Sequence, residues 1–162
     1  FVAFIMCLAS MLAFYYAFIE GLMFLLSTLA LVWIIDVSAY FTGKNFGHRK
    51  LFPMVSPNKT WEGVFGALLM YFIYSLFMVK IDGTWNELFL HYFGTYWLIV
   101  LSFVLFFVAI FADLFESKLK RISGKKDSGN ILPGHGGLFD RFDATLAVGP
   151  LIVFFNILGS RL

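Results

Sequence analysis

The acids of this chain stand where carboxylates are costly. Asp36 lies inside one apolar run, Glu62 opens another, Asp113 and Glu116 close a third, and Asp140 and Asp143 open a fourth. A carboxylate carried into a membrane helix costs about 2.5–3.5 kcal/mol unless it is paired, hydrated or bound to a cation. Asp113 and Glu116 are three residues apart, as are Asp140 and Asp143, so each pair shares a helix face. Antiparallel neighbouring helices would bring the two pairs together. Around them, in the stretch 117–143, stand Lys118, Lys120, Arg121, Lys125, Lys126 and Arg141, with a third acid, Asp127. Carboxylates set among so many cations fit a hard ion such as Mg²⁺, held by a few carboxylates plus the phosphates of a substrate. The same acids could be spent on salt bridges to nearby Lys and Arg, and that reading suits Glu62 and Glu116 best. Ahead of Asp140 and Asp143 runs Gly134-His135-Gly136-Gly137, which would open backbone amides to a phosphate.

Other residues add donors. His135 could act as a base, a phosphate donor or a brace for its loop. Phosphate nucleophiles are already ionised at neutral pH, which favours donor or brace. His48 and His91 read as ordinary loop residues. Ser56-Pro57-Asn58-Lys59-Thr60 precedes a run that begins Trp61-Glu62-Gly63. Pro fixes a turn there, Asn58, Lys59 and Thr60 supply donors, and Thr60 can cap the following helix. The segment is either a capped turn beside a membrane or a second contact to phosphate or base. No His/Cys cluster has zinc spacing, no Ser-His-Asp order stands out, and no GxxxxGK[ST] loop occurs. The single Cys7, in an apolar run, reads as a small buried hydrophobe, with no disulfide possible within the chain.

Such residues need long apolar elements to position them. Of 162 residues, 60% are hydrophobic and 14% charged, with mean hydropathy +0.85. Ordinary globular domains are about 45–50% apolar and about 25% charged, so a soluble fold of this size is excluded. Several runs approach the roughly 20 residues that cross a bilayer core. They are apolar at odd and even positions alike, which excludes a membrane β-barrel. The expected class is all-α: a polytopic integral membrane bundle forming a single domain over 1–162. About five spans are predicted, over 1–19, 22–42, 61–79, 95–116 and 142–158, with a short polar segment at 80–94. Polar loops fall at about 43–60 and 117–141. Two spans separate these loops, so they share a side, and they hold ten of the twelve Lys and Arg residues, all but Lys80 and Arg161. The positive-inside rule makes that side cytoplasmic. No basic n-region or cleavage site marks a signal peptide. The chain opens on Phe1, so further N-terminal helices are expected to precede it.

With these residues in place, 117–143 resembles the signature of the phosphatidate cytidylyltransferases, or CDP-diacylglycerol synthases. The resemblance rests on Ser117, Lys120-Arg121, Lys126-Asp127, Gly129, Pro133, His135-Gly136-Gly137, Asp140-Arg141 and Asp143 at the family's spacing. Upstream, Asp36, Ala39-Tyr40, Gly43, Phe46-Gly47 and Ser56 through Gly63 are similar to the family as well. Ala144 departs from it, standing where a small hydroxyl residue is common.

The resemblance implies that CTP and phosphatidic acid give CDP-diacylglycerol and pyrophosphate in a membrane, with Mg²⁺, room for a second cation such as K⁺, and a homodimer. On that reading Asp113 and Asp140 are metal ligands, while Asp143 and Asp127 lie near the metal or orient its shell. Lys59, Lys120, Arg121, Lys126 and Arg141 neutralise the phosphates of CTP and lipid. Gly136 and Gly137 let the backbone approach phosphate, and Ser56, Asn58, Thr60, Ser117 and His135 complete the substrate contacts. Nothing in the pattern asks for a nucleic-acid partner. The Asp-Gly…Ala-Arg…Gly…Asp…Asp run of the CDP-alcohol phosphotransferases is absent. The alternative is a transporter or ion-pathway subunit with Asp36, Asp113 and Asp140 along its path. Acids gathered at helix ends rather than at the bilayer midplane argue against it.

Overall fold

The computed structural model describes residues 2–53, 55–122 and 139–162, with side chains for 5–53, 55–122 and 144–162. Five helices and one β-hairpin make up this part of the chain. They follow the order α1 (Val2–Glu20), α2 (Leu22–Phe46), β1 (Lys50–Phe52), β2 (Ser56–Thr60), α3 (Trp61–Met78), α4 (Trp85–Ile122) and α5 (Phe139–Gly159). Among the described residues α2, α3 and α4 are long and apolar enough to cross a membrane, and shorter apolar windows occupy Ile5–Glu20 and Ala144–Gly159. The helices carry lipid-type surface, with Met11, Tyr15, Phe65, Leu69 and Leu76 among many large apolar side chains left exposed. The chain is thus an all-α polytopic membrane protein, as its composition requires.

Helix pairing sets the frame. α2 packs chiefly on α3, α4 on α5, and α1 on α5. Lipid tails are as apolar as side chains, so close packing and interhelical hydrogen bonds must supply the adhesion. The α2–α3 seam has both. A side chain at Gly63 would meet the Ala39 carbonyl at 2.8 Å and the Gly43 Cα at 3.3 Å, so only glycine permits this approach. Further along, the Tyr74 hydroxyl donates to the Ser27 carbonyl at 2.5 Å. Tyr71, stacked on Phe106 with ring centroids 6.0 Å apart, joins α3 to α4, and both are fully buried. The Ser10 hydroxyl of α1 donates to the Leu146 carbonyl of α5 at 2.8 Å.

Two boundaries differ from the sequence expectation. The polar segment at 80–94 is largely helical. Thr84 caps α4, its hydroxyl accepting from the Glu87 amide at 3.3 Å, and Trp85, Asn86 and Phe89 are buried. The expected break survives as a kink at Gly94, whose φ of 81° is left-handed and favours glycine. At its other end α4 continues to Ile122, so Ser117, Lys118, Lys120 and Arg121 ride on helix rather than loop. Nothing in 117–122 breaks a helix, and Glu116 with Lys120 forms an i,i+4 pair at 3.5 Å that supports the extension.

Candidate active site

The loop between α2 and α3 holds a hairpin that apolar periodicity does not announce. β1 and β2 pair antiparallel, with Lys50 opposite Thr60 and Phe52 opposite Ser56. Between these partners 57–59 face Leu51 alone, so β2 bulges where Pro57 could donate no ladder hydrogen bond. A bulge bends its strand and re-aims side chains, and here it falls at Asn58 and Lys59. The base of the hairpin is tied to α3 by three contacts. The Trp61 amide donates to the Arg49 carbonyl at 3.0 Å, the Arg49 amide lies 3.2 Å from both Glu62 carboxylate oxygens, and the Thr60 hydroxyl accepts from the Gly63 amide at 3.2 Å. Thr60 therefore caps α3 as its sequence context predicts. Glu62, one of the candidate acids, accepts hydrogen bonds from backbone.

Held this way, the Lys59 side chain meets α4 and its ammonium pairs with Asp113 Oδ2. This contact joins residues 54 apart in sequence and sets the hairpin beside the C-terminal part of α4. The pair lines a cavity of about 280 Å³. Ser56, Asn58 and Thr60 of β2 line the same space, and α2 contributes Asp36 and Tyr40. The Lys44 ammonium lies 5.7 Å from the centre of the Tyr40 ring, which adds positive charge nearby. Pockets for small ligands run about 300–1,000 Å³, so this cavity suits part of a nucleotide or a phosphate group rather than a whole nucleotide together with a lipid.

A second space adjoins the hairpin. A groove of about 690 Å³ runs beside α4, lined by Phe52 and Val55 of the hairpin and by Val108, Phe111 and Phe115. Among the described residues its one charged lining residue is Lys118. Val55 lines the groove and Ser56 the cavity, so the hairpin stands between an apolar groove and a cavity into which a few polar and charged residues are set.

Of the sequence-predicted site residues, the structure therefore gathers Ser56, Asn58, Lys59, Thr60 and Asp113. Ser117, Lys120 and Arg121 follow on the last turns of α4, where Lys120 is engaged by Glu116. Asp140, Arg141 and Asp143 lie on the first turns of α5, and their side chains fall outside the described residues. Lys126, Asp127, His135, Gly136 and Gly137 lie outside them altogether. From sequence, Asp36 has a place in the family resemblance and on the ion path of the transporter alternative, but none among the expected substrate or metal contacts. The structure sets it on the cavity wall, and the signal for it was an acid inside an apolar run four residues before Tyr40.

The donors fit a hard cation in part. Asp113 and Asp36 line one cavity together with Ser56, Asn58 and Thr60, residue types that carry oxygen ligands, although the Thr60 hydroxyl is engaged as the α3 cap. Among the described residues no three acid, His or Cys groups converge, so a bound ion would draw most of its ligands from substrate oxygens or residues beyond them.

The chain is similar to curated proteins over most of its length. The chain is 42% identical over 134 residues to a phosphatidate cytidylyltransferase of Staphylococcus epidermidis, covering 82% of the chain and 48% of that protein. It is 40% identical over 136 residues to one of Haemophilus influenzae, covering 84% and 46%. A third, from Staphylococcus aureus, is 42% identical over 135 residues, covering 82% and 48%. The chain spans about half the length of the curated relatives it matches. The cytidylyltransferase family model matches residues 1–158, a region that takes in α1 to α4, the hairpin and nearly all of α5. That range includes every residue that lines the cavity between hairpin and α4, and the chain belongs to the cytidylyltransferase family.

Proposed function

We propose that this chain forms CDP-diacylglycerol and pyrophosphate from CTP and phosphatidic acid, the reaction named by its relatives. The observation that carries the proposal is the convergence of Lys59 and Asp113 on one cavity, with an apolar groove across the hairpin. A cation and a carboxylate at one cavity suit a polyphosphate with its counter-ion, and the groove suits a co-substrate with acyl chains.

A phosphate oxygen of the lipid attacks the α-phosphorus of CTP. The bond from that phosphorus to the bridging oxygen breaks in line, and pyrophosphate leaves with the electron pair. The nucleophile is already ionised, so the protein's part is positioning and charge neutralisation. Lys59 neutralises phosphate oxygens, and Asn58 and Ser56 orient the group inside the cavity. Lys120 and Arg121, about two turns beyond Asp113, add charge at the same helix end. Asp113, with Asp140 and Asp143 from α5, would hold Mg²⁺. Its positive charge would help to stabilise the departing pyrophosphate. The reading extends to a cytoplasmic site, a homodimer and room for a second cation such as K⁺.

Pyrophosphate release measured in detergent micelles tests the proposal. Release should need CTP, phosphatidic acid and Mg²⁺ together, and chelation with EDTA should stop it. Turnover without lipid would overturn the assignment.

A further inference from the structure

Lys59 and Asp113 are each claimed twice by the chemistry above. Asp113 is needed as a ligand for a cation, and Lys59 as a partner for phosphate, yet the two are paired with each other. Both side chains are about a quarter exposed, at 26% and 29%, so either partner can be reached from the cavity. The backbone of Lys59 is held by the hairpin's ties to α3, but its four-carbon stem can swing between anions. A divalent ion and an ammonium crowded onto one carboxylate repel each other. Binding of the ion therefore requires Lys59 to give up Asp113, and a phosphate provides the compensating anion.

We propose that Lys59 guards Asp113, withholding the carboxylate from free divalent cations and yielding it to a cation that arrives with nucleotide phosphates. This rests on Asp113 being a metal ligand. Lys59 is then the positioning residue that couples the two arrivals. Coupling between ligands is reciprocal, so the nucleotide strengthens the cation by the same factor as the cation strengthens the nucleotide.

The test is Mn²⁺ binding to the whole chain in micelles, followed by electron paramagnetic resonance with and without CTP. The proteins are the native chain, Lys59→Met, Lys59→Arg and Asp113→Asn. Without CTP, Lys59→Met should bind Mn²⁺ about tenfold more tightly than the native chain, within the range of ordinary coupling energies. Lys59→Arg, which keeps the charge, should stay near the native affinity. CTP should strengthen Mn²⁺ binding in the native chain and much less in Lys59→Met. A gain in affinity is not something misfolding produces. Unchanged or weaker Mn²⁺ binding by Lys59→Met, with binding lost in Asp113→Asn, would overturn the guard and leave the metal site standing. Unchanged binding by Asp113→Asn in the presence of CTP would overturn both.

Discussion

At the scale of single residues, Asp113 shows how a carboxylate is kept near the end of a membrane helix. The Lys59 ammonium lies against it and the cavity admits water or ligand, which together offset the cost of placing it there. Asp113→Asn keeps the shape and removes the charge. It should lower pyrophosphate release by at least about a hundredfold if electrostatic stabilisation dominates, as it does at comparable sites. An unchanged thermal midpoint in micelles would show that the fold survives. Lys59→Ala should mainly raise the CTP concentration needed for half-maximal rate, and unchanged kinetics would remove Lys59 from substrate contact. Both residues were legible as candidates, one from a Ser-Pro-Asn-Lys-Thr run and the other from an acid at a helix end. Their pairing was not, because nothing local encodes a contact across 54 residues.

At the scale of elements, the site depends on how tightly α2 and α3 close beneath the hairpin. Gly63→Val would drive side-chain atoms toward the Ala39 carbonyl, and overpacking of this kind costs about 1–3 kcal/mol. We expect a lower thermal midpoint and a loss of activity that exceeds the loss of folded protein, because the same seam carries Thr60 and Lys59. Tyr74→Phe, distant from the cavity, removes one interhelical hydrogen bond and should cost about 0.6–1.7 kcal/mol with activity retained. The hairpin was illegible for a physical reason. Its strands are short, Pro53 and Pro57 interrupt it, and it shows no clean alternation of apolar and polar residues. Its order comes from ties to α3 and from packing beside α4, which are tertiary. The kink at Gly94 was half legible: the glycine marked a break, but burial of Trp85 and Phe89 makes the preceding segment helix.

At the scale of the whole molecule, the hairpin and the C-terminal part of α4 lie together, while the connection between α3 and α4 lies one span away from each. With Cys7→Ala as background, Lys50→Cys and Arg121→Cys should be shielded from a membrane-impermeant thiol reagent added to intact cells, and Asp82→Cys should react. Labelling at positions 50 and 82 alike would break this topology. The sequence alone determined the class, since 60% hydrophobic residues in long runs leave only a helical membrane protein, and span counting led to the expectation that the polar loops share a side. It also marked the acids and cations, because charge inside an apolar chain is costly and therefore conspicuous. Tertiary structure alone decided that Lys59 and Asp113 meet, that Asp36 shares their cavity, and that an apolar groove lies across the hairpin. Hydrophobic patterning tells each segment whether to enter the membrane. Which side chains then converge depends on helix rotation and close approach, set by contacts such as Gly63 against Ala39 between residues far apart in the chain.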